Sequence, residues 1–340
     1  MSTRPLFAVQ QPLLQQLLAE GGQLHHALLL SGLPGIGKAV FARALAQGLL
    51  CERRAAGPEP ACGQCPACTW FEAGHHPDFR LLSLAGAESR GARAREGGSA
   101  ARDISIDQVR DLDGFITSSA ARGQARVVMI DPAETLSTPA ANALLKMLEE
   151  PGAQTWFLLV THLPAQLPAT VRSRCRGVQL PVPDEADALA WLVEQGAGDE
   201  AQARQLLAWS GGAPLHAREL ADPARLTVHR TLLESLAALP ETGLDTVADK
   251  AGTVPAATWY YLLLRWMADL MRAHAGAAPR FFPESASRLA SLARRSSLYR
   301  LAEASAVLQQ QAVMVRHPLN PRLFMESALS TYLDVFTTGR

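Results

Sequence analysis

Short apolar runs alternate with amphipathic stretches along the first half of the chain. Three runs of the buried-strand type occupy residues 28–30, 127–130 and 156–160, and each ends at small or polar residues. Helical spacing follows the first run over residues 39–50 and separates the other two over residues 139–150. Apolar strands that alternate with helices predict an α/β fold in which a parallel sheet is covered on both faces.

Boundaries of elements and domains follow from local composition. Thr138 precedes a proline at the predicted start of the second helix, which favours Thr138 as its N-cap. Residues 85–102 are rich in Gly, Ala, Ser and Arg without apolar periodicity, and they predict a mobile loop. A small helical segment with a turn at Gly211-Gly212 follows Pro181, and helical spacing continues beyond it. We therefore expect three domains, over residues 1–180, 181–220 and 221–340.

Composition and charge narrow the function classes. The 340 residues are 48% hydrophobic and 19% charged, as in ordinary globular proteins. The 32 basic residues balance 32 acidic ones, so the protein as a whole has no strong positive potential that would attract nucleic acid. A local basic patch stays an open alternative. No run of about 18 apolar residues and no apolar segment of the signal-peptide type occurs, so we expect a cytoplasmic protein.

A glycine-rich loop follows the first predicted strand. Gly32, Gly35 and Gly37 precede Lys38 in the phosphate-loop pattern. Backbone N–H groups of such loops cradle phosphates, and the lysine reaches the terminal ones. The next position ordinarily carries a hydroxyl that binds Mg²⁺, but here it is Ala39. The pattern predicts nucleotide-binding ancestry, with a mere glycine-rich turn between strand and helix as the alternative.

Acidic residues after the second predicted strand complete this candidate site. Asp131 ends the strand where such folds place a Mg²⁺-organising carboxylate. Pro132 follows at the position where a hydrolytic site has a glutamate that orients water. Glu134 is the nearby acid, either a displaced base or, as the more ordinary interpretation, a solvated loop carboxylate. The losses at Ala39 and Pro132 predict that the chain is not an efficient ATPase.

Four of the five cysteines crowd one short stretch. They are Cys51, Cys62, Cys65 and Cys68. In a reducing compartment such clustering favours a metal over disulfides, and four thiolates close a tetrahedron around Zn²⁺ with no open position. The sequence therefore predicts a structural zinc site. His75 and His76 are near enough to be rival ligands, but we interpret them as ordinary loop histidines.

The order of these motifs resembles that in the bacterial clamp-loader subunits of the AAA+ superfamily. The matching segments are the phosphate loop, the four cysteines, His76-Pro77-Asp78, residues 142–151 and Ser173-Arg174-Cys175. The resemblance covers about residues 5–220. It implies an AAA+ domain over residues 1–180 with a zinc module at 51–68, a helical lid over 181–220 and an oligomerising collar over 221–340.

Within that family the chain resembles the non-motor subunit rather than the motor subunits called gamma or tau. Ala39 and Pro132 depart from the motor pattern, and Pro214 stands near the place of a nucleotide-sensing arginine. Arg174 matches the arginine that projects toward a neighbour's ATP, an arginine finger worth roughly 10³–10⁵ in rate. The resemblance thus implies a stator whose catalytic residue, Arg174, acts in trans.

The resemblance also implies partners and cofactors. The partners are the gamma or tau motors and the delta subunit, with the sliding clamp and primed DNA reached through the hetero-oligomer of DNA polymerase III. Structural Zn²⁺ is implied, and ATP or ADP binding is weak or vestigial. Two alternatives stay open: an active ATPase motor of the same family, and an unrelated zinc enzyme with an open metal position. Direct DNA contact by Arg93, Arg95 and Arg102 also stays open.

Overall fold

The structure is a computed structural model that describes residues 7–53, 61–84, 103–118, 125–244, 247, 254–316 and 320–336. The chain divides into two compact units, Met1–Asp187 and Ala188–Arg340. The loop predicted at residues 85–102, with Arg93, Arg95 and Arg102, lies outside the described residues. The boundaries of the three predicted domains stay a prediction.

Five parallel strands form the sheet of the first unit. They are β1 (Ala27–Ser31), β2 (Phe79–Leu82), β3 (Arg126–Ile130), β4 (Thr155–Thr161) and β5 (Arg176–Gln179). The order across the sheet is β2-β3-β4-β1-β5, and Leu29 pairs with Leu159 at its centre. The three strands predicted from apolar runs are the inner ones, because only inner strands are covered by neighbours on both edges. Because the strands are parallel, the carboxyl ends of β1, β3 and β4 lie next to one another on the same side of the sheet.

Six helices accompany this sheet in the described part of the first unit. They are α1 (Gln11–Ala19), α2 (Lys38–Leu50), α3 (Pro66–Glu72), α4 (Ile106–Thr117), α5 (Thr138–Glu149) and α6 (Ala169–Arg172). Leu112 of α4 and Leu144 of α5 pack with Val128 and Phe157 of the strands in one buried cluster. Their burial stabilises the unit, at about 1.5–3 kcal/mol for each large apolar side chain.

The N-terminus of α5 corrects one sequence prediction. Ser137, not Thr138, is the N-cap, because its backbone is extended and its hydroxyl accepts the N–H of Ala140 at 3.3 Å. Thr138 already belongs to the helix, which places Pro139 in the first turn, where a missing N–H costs no hydrogen bond. The apolar face of α5 includes Leu148, which is fully buried.

Helices follow the sheet for the rest of the described chain. They are α7 (Glu185–Glu194), α8 (Glu200–Trp209), α9 (Pro214–Leu220), α10 (Pro223–Thr242), α11 (Ala256–His274), α12 (Ala286–Arg295), α13 (Leu298–Gln311) and α14 (Pro321–Leu333). In the second unit, the buried Trp266 donates its indole N–H to the hydroxyl of Tyr332 at 2.9 Å. The carboxylate of Asp269 accepts three backbone N–H groups, those of Arg280, Phe281 and Phe282, at 2.7–2.8 Å.

None of the helices in the described ranges combines the length and apolarity needed to cross a membrane.

Candidate nucleotide site, metal site and interface arginine

The glycine-rich loop follows the carboxyl end of β1 and leads into α2. Gly35 has a φ of 79° and Gly37 a φ of 95°, the left-handed region in which a side chain is strained. Ile36, between them, is fully buried and anchors the loop from below. The loop therefore has the glycine-dependent geometry that the phosphate-loop pattern predicts.

Lys38 lies at the start of α2 and folds back over this loop. Its Nζ donates to the carbonyl oxygens of Gly32 at 2.8 Å and Leu33 at 2.6 Å, and the residue is only 3% exposed. Burial lowers the pKa of Lys38 to about 8, against the charges of Glu134 and Asp131, which raise it. Lys38 must exchange the two loop carbonyls for a phosphate before it can bind nucleotide.

The acids after β3 share this charge cluster. Burial raises the pKa of Asp131 to about 6; the charge of Glu134 raises it further, and that of Lys38 lowers it. Glu134 accepts the backbone N–H of His162, the residue after β4, at 3.1 Å. It is half-buried, so the expectation of a solvated loop carboxylate is wrong: a 3₁₀ turn at Ala133–Thr135 directs Glu134 back toward β4.

Compared with the residue pattern expected of an ATPase site, the cluster is incomplete. The glycine loop and Lys38 fit the phosphates of a nucleotide. At position 39, Ala39 offers no oxygen for Mg²⁺, and Pro132 has no group that orients water. Asp131 and Glu134 are therefore present without two of the groups that hydrolysis requires.

Gln10 belongs to this site but carries no sequence motif that marks it. The residue precedes α1, is fully buried and donates its side-chain N–H₂ to Ile36 O at 2.8 Å and Pro181 O at 3.3 Å. One amide therefore ties the N-terminal segment and the chain after β5 to the phosphate loop.

The four cysteines predicted as ligands converge in the structure. The Sγ atoms of Cys51, Cys62, Cys65 and Cys68 all lie within 4.8 Å of one another. Sulfurs at about 2.3 Å from a tetrahedral zinc would lie about 3.8 Å apart, so the donor set fits a closed thiolate site. The backbone N–H of Cys62 points to Cys51 Sγ at 3.4 Å, and that of Cys65 to Cys62 Sγ at 3.3 Å. These contacts stabilise negative charge on sulfur, as a bound cation requires.

The pKa values of three of these thiols are shifted in different directions. Backbone N–H groups of Gln64 and Cys65 lower the pKa of Cys62 to about 6, whereas burial raises the pKa of Cys51 and Cys68. The two rival histidines are not part of the converging group. His75 is exposed, and the Nδ1 of His76 accepts the backbone N–H of Asp78 at 3.0 Å.

Arg174 follows the short helix α6 at the surface of the first unit. Val171 before it is fully buried, and Cys175 after it packs against the same core, so the segment is anchored on both sides. The guanidinium forms an ion pair with Glu149 and donates to Thr170 O at 3.0 Å. The structure thus presents a partly exposed arginine on a firmly held segment.

Comparison with known proteins identifies relatives over most of the chain. The profile of a family described as "DNA polymerase III, delta subunit" matches residues 9–184. DNA polymerase III subunit delta' of Pseudomonas aeruginosa is 37% identical over 272 residues, 78% of this chain and 77% of that protein. Subunit delta' of Yersinia pestis is 33% identical over 328 residues, 94% and 92% of the two chains. Subunit tau of Escherichia coli is 38% identical over 154 residues, 45% of this chain and 21% of tau.

These matches confirm the resemblance and the fold class drawn from the sequence. The parallel sheet with its phosphate loop is an AAA+ α/β domain, and a helical part follows it. The identities of 33–37% to delta' subunits extend over most of the chain, whereas the match to tau covers less than half of it. The chain therefore belongs to the delta' family of DNA polymerase III subunits.

Proposed function

We propose that this protein is the non-motor stator subunit of the DNA polymerase III clamp loader and that Arg174 completes the ATP site of a neighbouring motor subunit. One observation carries the proposal: the chain lacks catalytic groups at Ala39 and Pro132 but keeps a partly exposed arginine on an anchored segment. A chain that does not hydrolyse ATP itself has no need of Arg174 for its own site.

The physical role of Arg174 is electrostatic. A guanidinium placed against the transferred phosphate stabilises the charge that develops there, and such a contribution is worth roughly 10³–10⁵ in rate. The effect depends on the position of the guanidinium, which the buried Val171 and the partly buried Cys175 restrict. Arg174 therefore acts as a catalytic residue in trans, on a nucleotide held by the next subunit.

The partners follow from the same assignment. The chain assembles with gamma or tau motors and delta, and through the complex it acts on the sliding clamp and primed DNA. Its zero formal net charge makes its own DNA contact a minor term. The helical second unit supplies the surface for assembly.

Two cofactor assignments complete the proposal. Zinc at the four cysteines is structural, because four thiolates leave no open position for substrate; this argues against a zinc enzyme. ATP or ADP binds weakly at the phosphate loop, where Lys38 is engaged by loop carbonyls and Ala39 lacks the Mg²⁺ ligand.

The test is ATP hydrolysis by the reconstituted loader with its clamp and primed DNA. The Arg174→Ala variant should assemble normally, because the change removes a surface charge and no core volume. It should lower clamp-dependent hydrolysis by at least tenfold, because the charge that develops on the phosphate loses a stabilising guanidinium. Arg172→Ala is the matched control, an exposed arginine two residues away that should leave the rate unchanged. A loader with Arg174→Ala that hydrolyses ATP and loads clamps as the wild type does contradicts the finger role.

One observation favours a second candidate, an ATPase site inside this chain. Glu134 is half-buried beside Lys38 and Asp131, where it is available as a displaced base. Turnover by the isolated subunit that disappears with Lys38→Ala would establish this motor function. We expect no such turnover, because Ala39 offers no oxygen to Mg²⁺ and Pro132 cannot orient water.

A further inference from the structure

The side chain of Arg174 is occupied within its own chain. One terminal nitrogen donates to Glu149 and the other to Thr170 O at 3.0 Å. Arginine contacts phosphate through these same N–H groups, ideally two at once in a fork. Arg174 therefore has to exchange intrachain partners before it can contact a neighbour's phosphate with its full set of donors.

The partner carboxylate is placed by the fold and not by a loop. Glu149 is the last residue of α5, and Leu148 beside it lies in the buried cluster that also holds Val171 of α6. Both halves of the Glu149–Arg174 pair are therefore anchored to one core. The pair is a property of the folded unit, present before any neighbour binds.

The ion pair between Glu149 and Arg174 is weak enough for a phosphate to replace the carboxylate. The two side chains are 34% and 51% exposed, so water and salt screen their attraction. Exposed pairs of this kind shift an equilibrium by no more than about fivefold. A nucleoside triphosphate carries several negative charges and readily displaces the single carboxylate of Glu149 from Arg174. It does so only when it lies within reach of Arg174.

We propose that Glu149 is a positioning residue that holds Arg174 in cis and yields it to the phosphate of a neighbour's nucleotide. The proposal rests on the finger role of Arg174 and adds what controls that role. While the neighbour is distant, Glu149 retains the guanidinium and the neighbour's site stays incomplete. When the subunits close, phosphate replaces the carboxylate, and Glu149 returns to solvent.

The experiment compares Glu149→Gln with Glu150→Gln in the reconstituted loader. The first change keeps side-chain size and removes the charge that binds Arg174. The second removes the same charge from an exposed neighbour that caps α5. We expect Glu149→Gln to raise ATP hydrolysis measured without clamp and DNA by up to about fivefold, while Glu150→Gln does not change it. In an Arg174→Ala background, Glu149→Gln should have no effect, which a merely structural role of Glu149 would not produce.

The outcomes separate this inference from the proposed function. If Arg174→Ala leaves the loader unchanged, the finger role itself fails. If Arg174→Ala lowers hydrolysis but Glu149→Gln behaves like Glu150→Gln, the finger stands and the role of Glu149 is overturned. A lower rate with Glu149→Gln, or a rise that persists without Arg174, overturns it equally.

Discussion

Replacement of Cys65 by serine tests whether a metal folds the segment that contains the four cysteines. Cys65 is 1% exposed and directly precedes α3, which has only seven residues. A helix of that length is not stable in isolation. The cluster around the sulfurs consists of six cysteine and alanine side chains, all small. Apart from these small side chains, the large buried side chain of α3 is Phe71, which packs against Phe79 of β2 with ring centroids 4.8 Å apart.

The magnitude follows from these contacts. Burial of six small side chains contributes about 1 kcal/mol each and that of Phe71 about 2 kcal/mol, roughly 8 kcal/mol in all. Ordering the backbone of α3 alone costs about 7–14 kcal/mol. The ordering cost that burial leaves uncovered is therefore up to about 6 kcal/mol. A structural zinc supplies more than this at pH 7, about 10–16 kcal/mol. Loss of one thiolate should therefore unfold α3 locally and leave the sheet of the first unit intact.

The assay combines metal analysis with hydrogen exchange. The wild type should carry one zinc per chain, and Cys65→Ser much less. The amide of Thr69, which donates to Cys65 O at 3.0 Å, should lose protection in the variant and in chelator-treated wild type. Amides of β3 should stay protected. Cys175→Ser is the matched control, because Cys175 packs against the sheet core and not in the cysteine cluster.

Two results would refute this reasoning. Cys65→Ser with a full complement of zinc would mean that the sulfur of Cys65 is not a ligand. A Thr69 amide that stays protected after the metal has been removed would mean that packing alone folds the segment.

Three further predictions concern buried polar groups and the phosphate loop. Burial raises the pKa of Asp131 to about 6, so the native protein keeps a proton between pH 4 and 6 that the unfolded chain has lost. The free energy of unfolding of Asp131→Asn should therefore rise relative to that of the wild type as pH increases from 4 to 7, by up to about 3 kcal/mol in urea titrations. A difference that does not change with pH would contradict this. Asp269→Ala leaves three backbone N–H groups unpaired and should destabilise the second unit by about 3–5 kcal/mol in the same assay. Ala39→Ser should tighten Mg²⁺-nucleotide binding in calorimetry without creating turnover, because Pro132 still cannot orient water.

Sequence patterns predicted the inner strands of the sheet and missed its edges. The runs in β1, β3 and β4 are apolar because both faces of these strands are covered. The edge strands β2 and β5 have four residues each and are half-exposed, so they carry no apolar run. Their pairing is set by contact with β3 and β1, which are distant in the sequence.

The candidate site shows the same division between local and distant information. Spacing along the chain was enough to predict that Lys38 and Asp131 share a site, because each follows a strand of the same sheet. The placement of Glu134 depends on a 3₁₀ turn and on the N–H of His162, and neither leaves a pattern in the sequence. The pairing of Glu149 with Arg174 depends likewise on the packing of α5 against α6.

The burial of Lys38 makes the protein unusually convenient to label. The chain has three lysines, Lys38, Lys146 and Lys250. The amine of Lys38 is buried and bonded to loop carbonyls, so it should resist amine-directed dyes. With Lys250→Arg, the exposed Lys146 becomes the remaining reactive lysine, and it lies one turn before Glu149 on α5. A fluorophore there would report by energy transfer how closely a labelled neighbour approaches the surface that carries Arg174, without adding any cysteine.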